Sequence, residues 1–531
     1  ISVEPNTGWY IPIAHEDKIY NIDENLIKII KSIFENEKIE KIAHNANFDV
    51  SVLINNNFTV KNISFDTMIA ANLLGKRSLS LKNLALEYFN EEMTPIDHLI
   101  GKRKDQISFS TVSIDSATKY SCAESDMTLR LKAIFENELE KSDLLNVMEN
   151  IEMPLLPVIV NMQKHGVRIN EKKLNKLSLD LKRIIISLEK QSKELLPDIE
   201  FNLRSSQQLA KILIENLGVP KTRKTKTGYT MDANTLEGLL EYDELNPKAK
   251  DLIRIILSHR ESSKIKSTYA DSLPNLINKR TGRVHTYFNQ AGTSTGRLSS
   301  SDPNLQNIPV RTELGNQVRK AFESKISKGY FLMSADYSQV ELKILAHFSE
   351  EPILINAFMN NEDIHDMTAK SIYETTTVTK EQRRIAKILN FGVIYGLSPH
   401  GVARQTDLNR EQGKQFIDLY FGKYPGIQEY TNKIIKFAQE HHYVETLTGR
   451  KRLLQEINSP NFNIRSSSER MAINMPIQGT AADIIKIAMI KIDKEIQKLN
   501  LNSRMIMQVH DELIFEVHQK ELSILEKTLR D

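Results

Sequence analysis

Two carboxylates stand where strands run out. Residues 330–349 read as an apolar strand that ends at Asp336 and turns through Tyr337-Ser-Gln339 into a helix carrying Glu341. Far downstream, Met505-Ile-Met-Gln-Val509 and Leu513-Ile-Phe-Glu-Val517 are two apolar strands joined at the charged turn His510-Asp511-Glu512. Alone, that turn is a plain hairpin turn, and Ser338 with Glu341 three residues later matches a capping box. Together, aspartates at the ends of separate strands could hold a pair of magnesium ions about 3.5–4 Å apart for in-line displacement at phosphorus, because hard cations take oxygen ligands.

A second constellation lies between Arg383 and Gly396. Arg383, Lys387, Phe391 and Tyr395 recur every fourth position, so on a helix they share one slowly drifting face. An amphipathic helix with a basic start would give part of this pattern. A core stripe, however, would be aliphatic and a solvated stripe charged throughout. Charge followed by flat rings is the order a nucleotide presents, phosphates before sugar and base. Arg grips phosphate oxygens as a fork and Lys as a point charge, while a ring can pack on a sugar or stack on a base. Gly392 and Gly396 cost helix stability, which predicts that something approaches that backbone closely.

Other polar residues suit a polynucleotide. The tract Thr293–Ser299 and Asp302–Pro309 is turn-rich and reads as a long loop. Its Arg297, Asn304, Gln306 and Asn307 could donate to minor-groove base edges or phosphates, or close Asx turns. Arg470, Asn474 and Gln478 lie four apart on a helix, after which another helix is expected to open. Such amides could also glue helices together. The basic tract Lys221–Gly228, with Lys264 and Lys266, offers contacts to a phosphate backbone or simply a solvated surface.

These groups need a large scaffold. At 531 residues the chain is too long for one core and should hold two or more domains. Its net charge is only +3, so any nucleic-acid binding must come from local clusters. Cys122 is the single cysteine, which excludes an internal disulfide. The apolar runs, such as Leu155–Val160, fall short of the ~20 residues of a membrane span, so no bilayer crossing is expected. Residues 1 to about 146 alternate strand-like and helical patterns, with a strand at Gly8–Ile13 and a helix around Leu26–Phe34, as an α/β domain would. That region carries Asn45 with Asp49, Asp66, and Tyr120 with Glu124 and Asp126. Such groups suit a magnesium-dependent phosphodiesterase or, at helix starts, act as caps. Residues 180–270 read as long helices. The opening at Ile1, in what reads as mid-strand, predicts a processed or trimmed start.

In content and order these segments closely resemble the family A DNA polymerases. Asp336-Tyr-Ser-Gln-Val-Glu341 is similar to the first palm motif, Arg383–Gly396 to the fingers helix and His510-Asp-Glu512 to the second palm motif, with Thr295-Gly-Arg-Leu-Ser299 and Asp302–Pro309 preceding them. The resemblance implies an α/β multidomain fold, an RNase H-like 3′–5′ exonuclease domain over 1–146 and a right-hand polymerase domain over 147–531. The palm would span 147–180, 286–350 and 440–531, the thumb 181–285 and the fingers 351–439. It implies template-directed DNA synthesis on primer–template DNA from deoxynucleoside triphosphates, in replication or repair, by a monomer using two magnesium ions, with manganese as a substitute. Asp336, Asp511 and the backbone of Tyr337 would bind metal. Arg383, Lys387 and His365 would hold the triphosphate, with Lys387 also a general acid toward pyrophosphate. Phe391 would pack on the deoxyribose, Gln339 would border the nucleotide, Tyr395 would guard the template side, and Glu341 would fill the space of a ribose 2′-hydroxyl. Arg297, Asn304, Gln306, Arg470, Asn474, Gln478 and His510 would line the primer–template minor groove, with Lys264 and Lys266 on the DNA backbone.

The nuclease-like part departs from the family. Its first metal motif, a paired Asp-x-Glu, would lie upstream of Ile1. Asn45 and Asp49 fit the second motif, but Tyr120 is followed by Glu124 where the family usually has Asp. One extra methylene matters to magnesium's strict geometry. An incomplete or inactive exonuclease is therefore expected, with Asp126 structural. Family members continue past the position of Asp531 with a further helix and strand. A single-subunit RNA polymerase would not be expected to carry Glu341 or the nuclease-like domain, and a catalytically dead scaffold would be expected to lose Asp336, Asp511 or Lys387. The bias toward Ile, Lys and Asn suggests an AT-rich source and, by similarity, an organellar enzyme of the plastid (apicoplast) of a malaria parasite.

Overall fold

The computed structural model describes residues 1–530 apart from 226, 227, 241, 243, 311, 326, 327, 395, 397, 404, 405, 407 and 408. Its centre is a three-stranded antiparallel sheet in which Glu512–His518 lies between Arg504–Val509 and Tyr330–Asp336. The register sets Glu512 opposite Asp336 and His518 opposite Tyr330. Met505, Leu513, Phe515 and Val517 share one face and join a buried core with Ile485 and Met489 of a long helix and Leu155 and Ile159 of the helix Met153–His165. The alternation of the strands thus fixes the buried face, and the register with the turn after Val509 sets the carboxylates at one end.

The long helix, Phe462–Lys498, has 37 residues and runs unbroken through Pro476. The second helix expected after Gln478 does not form. Gly479, which suggested the break, is where the helix meets its neighbour: an added Cβ would come 2.5 Å from Thr446 Cγ2.

Asp483 and Lys486 of that helix close a buried charge cluster with Glu152 and Arg450. Arg450 Nη2 lies 2.5 Å from Glu152 Oε1 and 2.6 Å from Asp483 Oδ1, and Lys486 Nζ lies 2.6 Å from Glu152 Oε1. Burial would push the Glu152 carboxyl up, but Lys486 and Arg450 hold it down to about 2. For Lys486 burial outweighs Glu152 and draws its ammonium down. Removing one member strands the others. Lys486→Met is expected to cost about 3 kcal/mol of unfolding free energy in a denaturant titration, and a change within 0.5 kcal/mol, roughly that of an ordinary surface substitution, would contradict it.

Toward the N-terminus, Lys41–Ala43 pairs in parallel with Ile63–Asp66, and Phe65, Ile69, Leu84, Leu131 and Phe135 build a separate core. The helix expected around Leu26–Phe34 forms as Glu24–Glu35, capped by Asp23. The strand expected at Gly8–Ile13 does not form. Pro12 has no N–H to donate, and Trp9 exchanges backbone bonds with Ile1. Long helices, Glu171–Leu195 and Pro247–Ile265, pack together in the 180–270 region. In the basic tract, Lys224–Thr225 pairs with Gly228–Tyr229, and residues 226 and 227 lie outside the described residues. The turn-rich tract is partly ordered as a ribbon, Tyr287–Asn289 with Ser299–Ser301. Among the described residues no helix is long and apolar enough to cross a membrane.

Candidate active site

The sheet brings Asp336, Asp511 and Glu512 to one end. Asp336 is exposed, yet partial loss of solvation, then the negative charges of Asp511 and Glu512, raise its carboxyl above its ordinary value. Asp511 Oδ1 is buried without a hydrogen-bond partner among the described residues, and its one ion-pair neighbour there, Arg297 Nη2, is 3.8 Å away. Like charges facing each other over an orphaned oxygen fit a cation between them.

The turn that presents Asp511 is held from behind. His510 has a left-handed φ of 53°. Gln508 donates its amide to the His510 carbonyl, and Gln306 Nε2 donates to Gln508 Oε1 at 2.9 Å and to its carbonyl at 3.2 Å. Gln306 and Asn304, read as minor-groove donors, have local duties here: Asn304 Oδ1 accepts from Gln306 N at 3.0 Å in an Asx turn.

Glu341 is buried, and its Oε1 lies 2.5 Å from Arg297 Nη2. Among the described residues the capping box read from Ser338 and Glu341 does not form, because the N-cap is Gln339. The helix Val340–Ser349 is entered through Gln339 at a left-handed φ of 53°, with no side-chain cap. Glu341 finds a guanidinium, a stronger partner than a backbone N–H.

On the helix Lys380–Ile394, Arg383 pairs with Asp363 Oδ2 and Asp366 Oδ1, both at 2.7 Å. His365 lies beside them in the helix Ile364–Tyr373, which Asp363 caps. Burial lowers the imidazole below its ordinary value; Asp363 opposes this, and Lys387 and Arg383 add to it. Asn390 Nδ2 meets His365 Nδ1 at 3.0 Å, leaving Nε2 to carry the proton. The Phe391 ring is 5.6 Å from the His365 ring and 6.0 Å from Lys387 Nζ. Tyr395 lies outside the described residues. The close approach foreseen at Gly396 is real: φ is 61°, and a Cβ there would meet Arg470 Cγ at 2.7 Å.

Arg470 donates to Ser466 Oγ at 2.8 Å. Asn474 Oδ1 is buried without a partner among the described residues, and Gln478 is half-buried on the same helix. Lys266 is taken up by Asp271 at 2.7 Å and Ser178 at 3.0 Å, whereas Lys264 is exposed. Sequence reasoning missed Asp366, Asn390 and Gln508. Asn390, a polar residue inside an apolar helical run, was the signal that could have been read.

In the N-terminal region, Asp66 is a cap that accepts from the N–H groups of Asn45, Ala46, Met68 and Ile69. Asp126 accepts from Asn6 N and pairs with Arg130, a structural duty. Asn45 Oδ1 accepts from the Tyr287 hydroxyl at 2.7 Å. Burial and then Glu124 raise the Tyr120 hydroxyl well above its ordinary value. Asp49 is exposed, yet the lost solvation along its packed side, then the charges of Asp66 and Glu124, push its carboxyl up to about 7. The folded chain therefore keeps a proton that the unfolded chain sheds above about pH 4, so stability falls as pH rises from there to about 7. Asp49→Asn escapes that penalty. It is expected to raise Tm at pH 8 and barely at pH 4; equal shifts at both would exclude the charge explanation.

Residues 171–531 match DNA polymerase family A, and residues 1–140 match the 3′–5′ exonuclease family. The chain belongs to DNA polymerase family A, with an exonuclease domain preceding the polymerase domain. Among its relatives, DNA polymerase I of Chloroflexus aurantiacus is 40% identical over 100% of this chain and 56% of the relative, and DNA polymerase I of Pseudomonas aeruginosa is 39% identical over 98% and 57%. The chain thus spans a little over half the length of these curated relatives. A solved structure, the POL domain of Pol1 from M. smegmatis in complex with DNA primer-template and dNTP, aligns with TM-score 0.87 and 34% identity over 96% of this chain and 85% of that one.

Proposed function

We propose that the chain is a DNA-directed DNA polymerase, extending a primer 3′-hydroxyl by transfer of a deoxynucleotidyl group with release of pyrophosphate, in replication or repair. The observation that carries this is the meeting of Asp336 and Asp511 at one sheet end, with Asp511 Oδ1 unpartnered among the described residues. Asp336, Asp511 and the Tyr337 carbonyl would hold divalent metal, for which magnesium is our choice and manganese a substitute. A metal held there would supply positive charge against the transferring phosphoryl group and beside the attacking hydroxyl.

The chain's own groups do the rest. Arg383 exchanges Asp363 and Asp366 for triphosphate oxygens, His365 donates from Nε2, and Lys387 gives its proton to the leaving pyrophosphate. Phe391 packs on the deoxyribose and Glu341 closes off the 2′ position. Arg297 moves from Glu341 to the primer end, which the Arg470, Asn474, Gln478 and His510 side chains also border. These contacts test pair geometry without reading sequence. Because Phe391 offers no hydroxyl where a missing 3′-hydroxyl would leave a gap, Phe391→Tyr is expected to raise dideoxynucleotide incorporation about tenfold, the worth of one hydrogen bond. No change in chain-termination assays would mean that this ring does not face the sugar.

The nuclease domain we propose to be inactive in trimming, supported by Glu124 at the third motif and by the commitment of Asn45 to Tyr287. We propose a monomer acting in the plastid of a malaria parasite, supported by the Ile, Lys and Asn bias; a tagged protein found outside the plastid would overturn that. For the reaction, labelled primer–template is offered deoxy- and ribonucleotides separately, with a 3′ mismatch as second substrate. Template-ordered deoxynucleotide addition without mismatch trimming is expected. Addition that ignores the template would refute the polymerase reading, and trimming would refute the nuclease proposal.

A further inference from the structure

The ribbon that carries Arg297 is gripped from the nuclease domain. Tyr287–Asn289 pairs with Ser299–Ser301 on one side only, so the outer backbone groups of Phe288, fully buried, need other partners. Two buried amides supply them. Phe288 N donates to Gln163 Oε1 at 2.7 Å, and Asn47 Nδ2 donates to the Phe288 carbonyl at 2.6 Å. The amides also bond each other: Gln163 Nε2 donates to Asn47 Oδ1 at 2.7 Å, and Asn47 Nδ2 to Gln163 Oε1 at 3.1 Å. Asn47 thereby takes the place of a neighbouring strand.

Further contacts extend the grip along the segment. The Tyr287 hydroxyl donates to Asn45, Asn72 Nδ2 donates to the Ala291 carbonyl at 3.3 Å, and Gln290 donates to Glu152 Oε2 at 2.8 Å. Gly296 then lies on the buried Arg450, where a Cβ would come 2.7 Å from Nε. The next residue is Arg297, reaching Glu341 and Asp511. Asn47 sits between Asn45 and Asp49 on the helix Ala46–Asn55 but belongs to neither nuclease motif residue set.

We propose that Asn47, with Gln163, is a positioning residue for nucleotide addition: through the ribbon it sets where Arg297 stands between Glu341 and the primer end, so the nuclease domain serves the polymerase site whether or not it cleaves DNA. This rests on the role given to Arg297 above. Buried amides that close all their bonds hold one geometry, and losing one leaves the others unsatisfied. A displacement of about an ångström at a positioning group is worth up to about a hundredfold in rate.

The test is a double-mutant cycle in the full chain, with hydrogen exchange beside it. Asn47→Ala is expected to lower the maximal rate of correct nucleotide addition about tenfold with little change in KM, yet less than about twofold when Arg297 is already alanine. Asn47→Ser keeps a short neutral polar side chain at the site, and it is the milder variant should Asn47→Ala unfold. The amides of residues 289–298 should exchange faster in either variant while those of 504–518 do not. A full loss in both Arg297 backgrounds, or unchanged exchange over 289–298, would overturn the proposal. A parent chain that fails to extend primers would instead overturn the polymerase reading, and the exchange measurement would still decide the role of Asn47.

Discussion

Primer extension by Asp511→Ala is expected to fall about a thousandfold or more while primer–template affinity and Tm stay near those of the parent. The reason lies in what Asp511 does for the fold, which is little. Its Oδ1 accepts no hydrogen bond among the described residues, and its ion-pair neighbour there, Arg297, stands at 3.8 Å and has Glu341 at 2.5 Å. Removing it also relieves Asp336, whose carboxyl it pushes up. A structural carboxylate would show the reverse, lost stability before lost rate. Extension at parental rates by Asp511→Ala would remove the aspartate pair from the reaction, and a large drop in Tm would make it a fold residue.

The second large effect is at Glu341. Glu341→Ala is expected to relax selection against ribonucleotides about a hundredfold. The side chain is buried at the start of the helix Val340–Ser349, so truncation opens volume where Glu341 stood and frees Arg297. Glu341→Gln separates these effects. It keeps the volume and weakens only the charge pairing, so sugar selection should persist. Single-nucleotide addition rates with matched deoxy and ribo substrates read both. Unchanged selectivity in Glu341→Ala would mean that this carboxylate does not border the sugar.

Local sequence carried the strand-end aspartates, because alternation fixes the face and the turn fixes the end. The stripe on Lys380–Ile394 was legible for the same reason, as was the close approach at Gly396, where glycine inside a helical pattern signals a neighbour. Pairings set by tertiary structure were not legible. Arg297 and Glu341 are 44 residues apart and Gln306 and Gln508 are 202 apart, and nothing local marks either pair. Both misled: Glu341 looked like half of a capping box, and Gln306 like a free donor. The expected strand at Gly8–Ile13 had the right residue types, but its backbone bonds to Ile1 and Ile22 are single contacts that build no ladder, and Pro12 interrupts its donors. The break expected after Gln478 failed because burial of the long helix outweighs the cost of Pro476 and Gly479.

The most direct test of the central claim is extension of a 5′-labelled primer on a DNA template, with magnesium supplied or chelated. A ladder of products in template order with magnesium, and none with chelator, is the predicted result. No extension with magnesium, or an undiminished ladder without divalent metal, would contradict it.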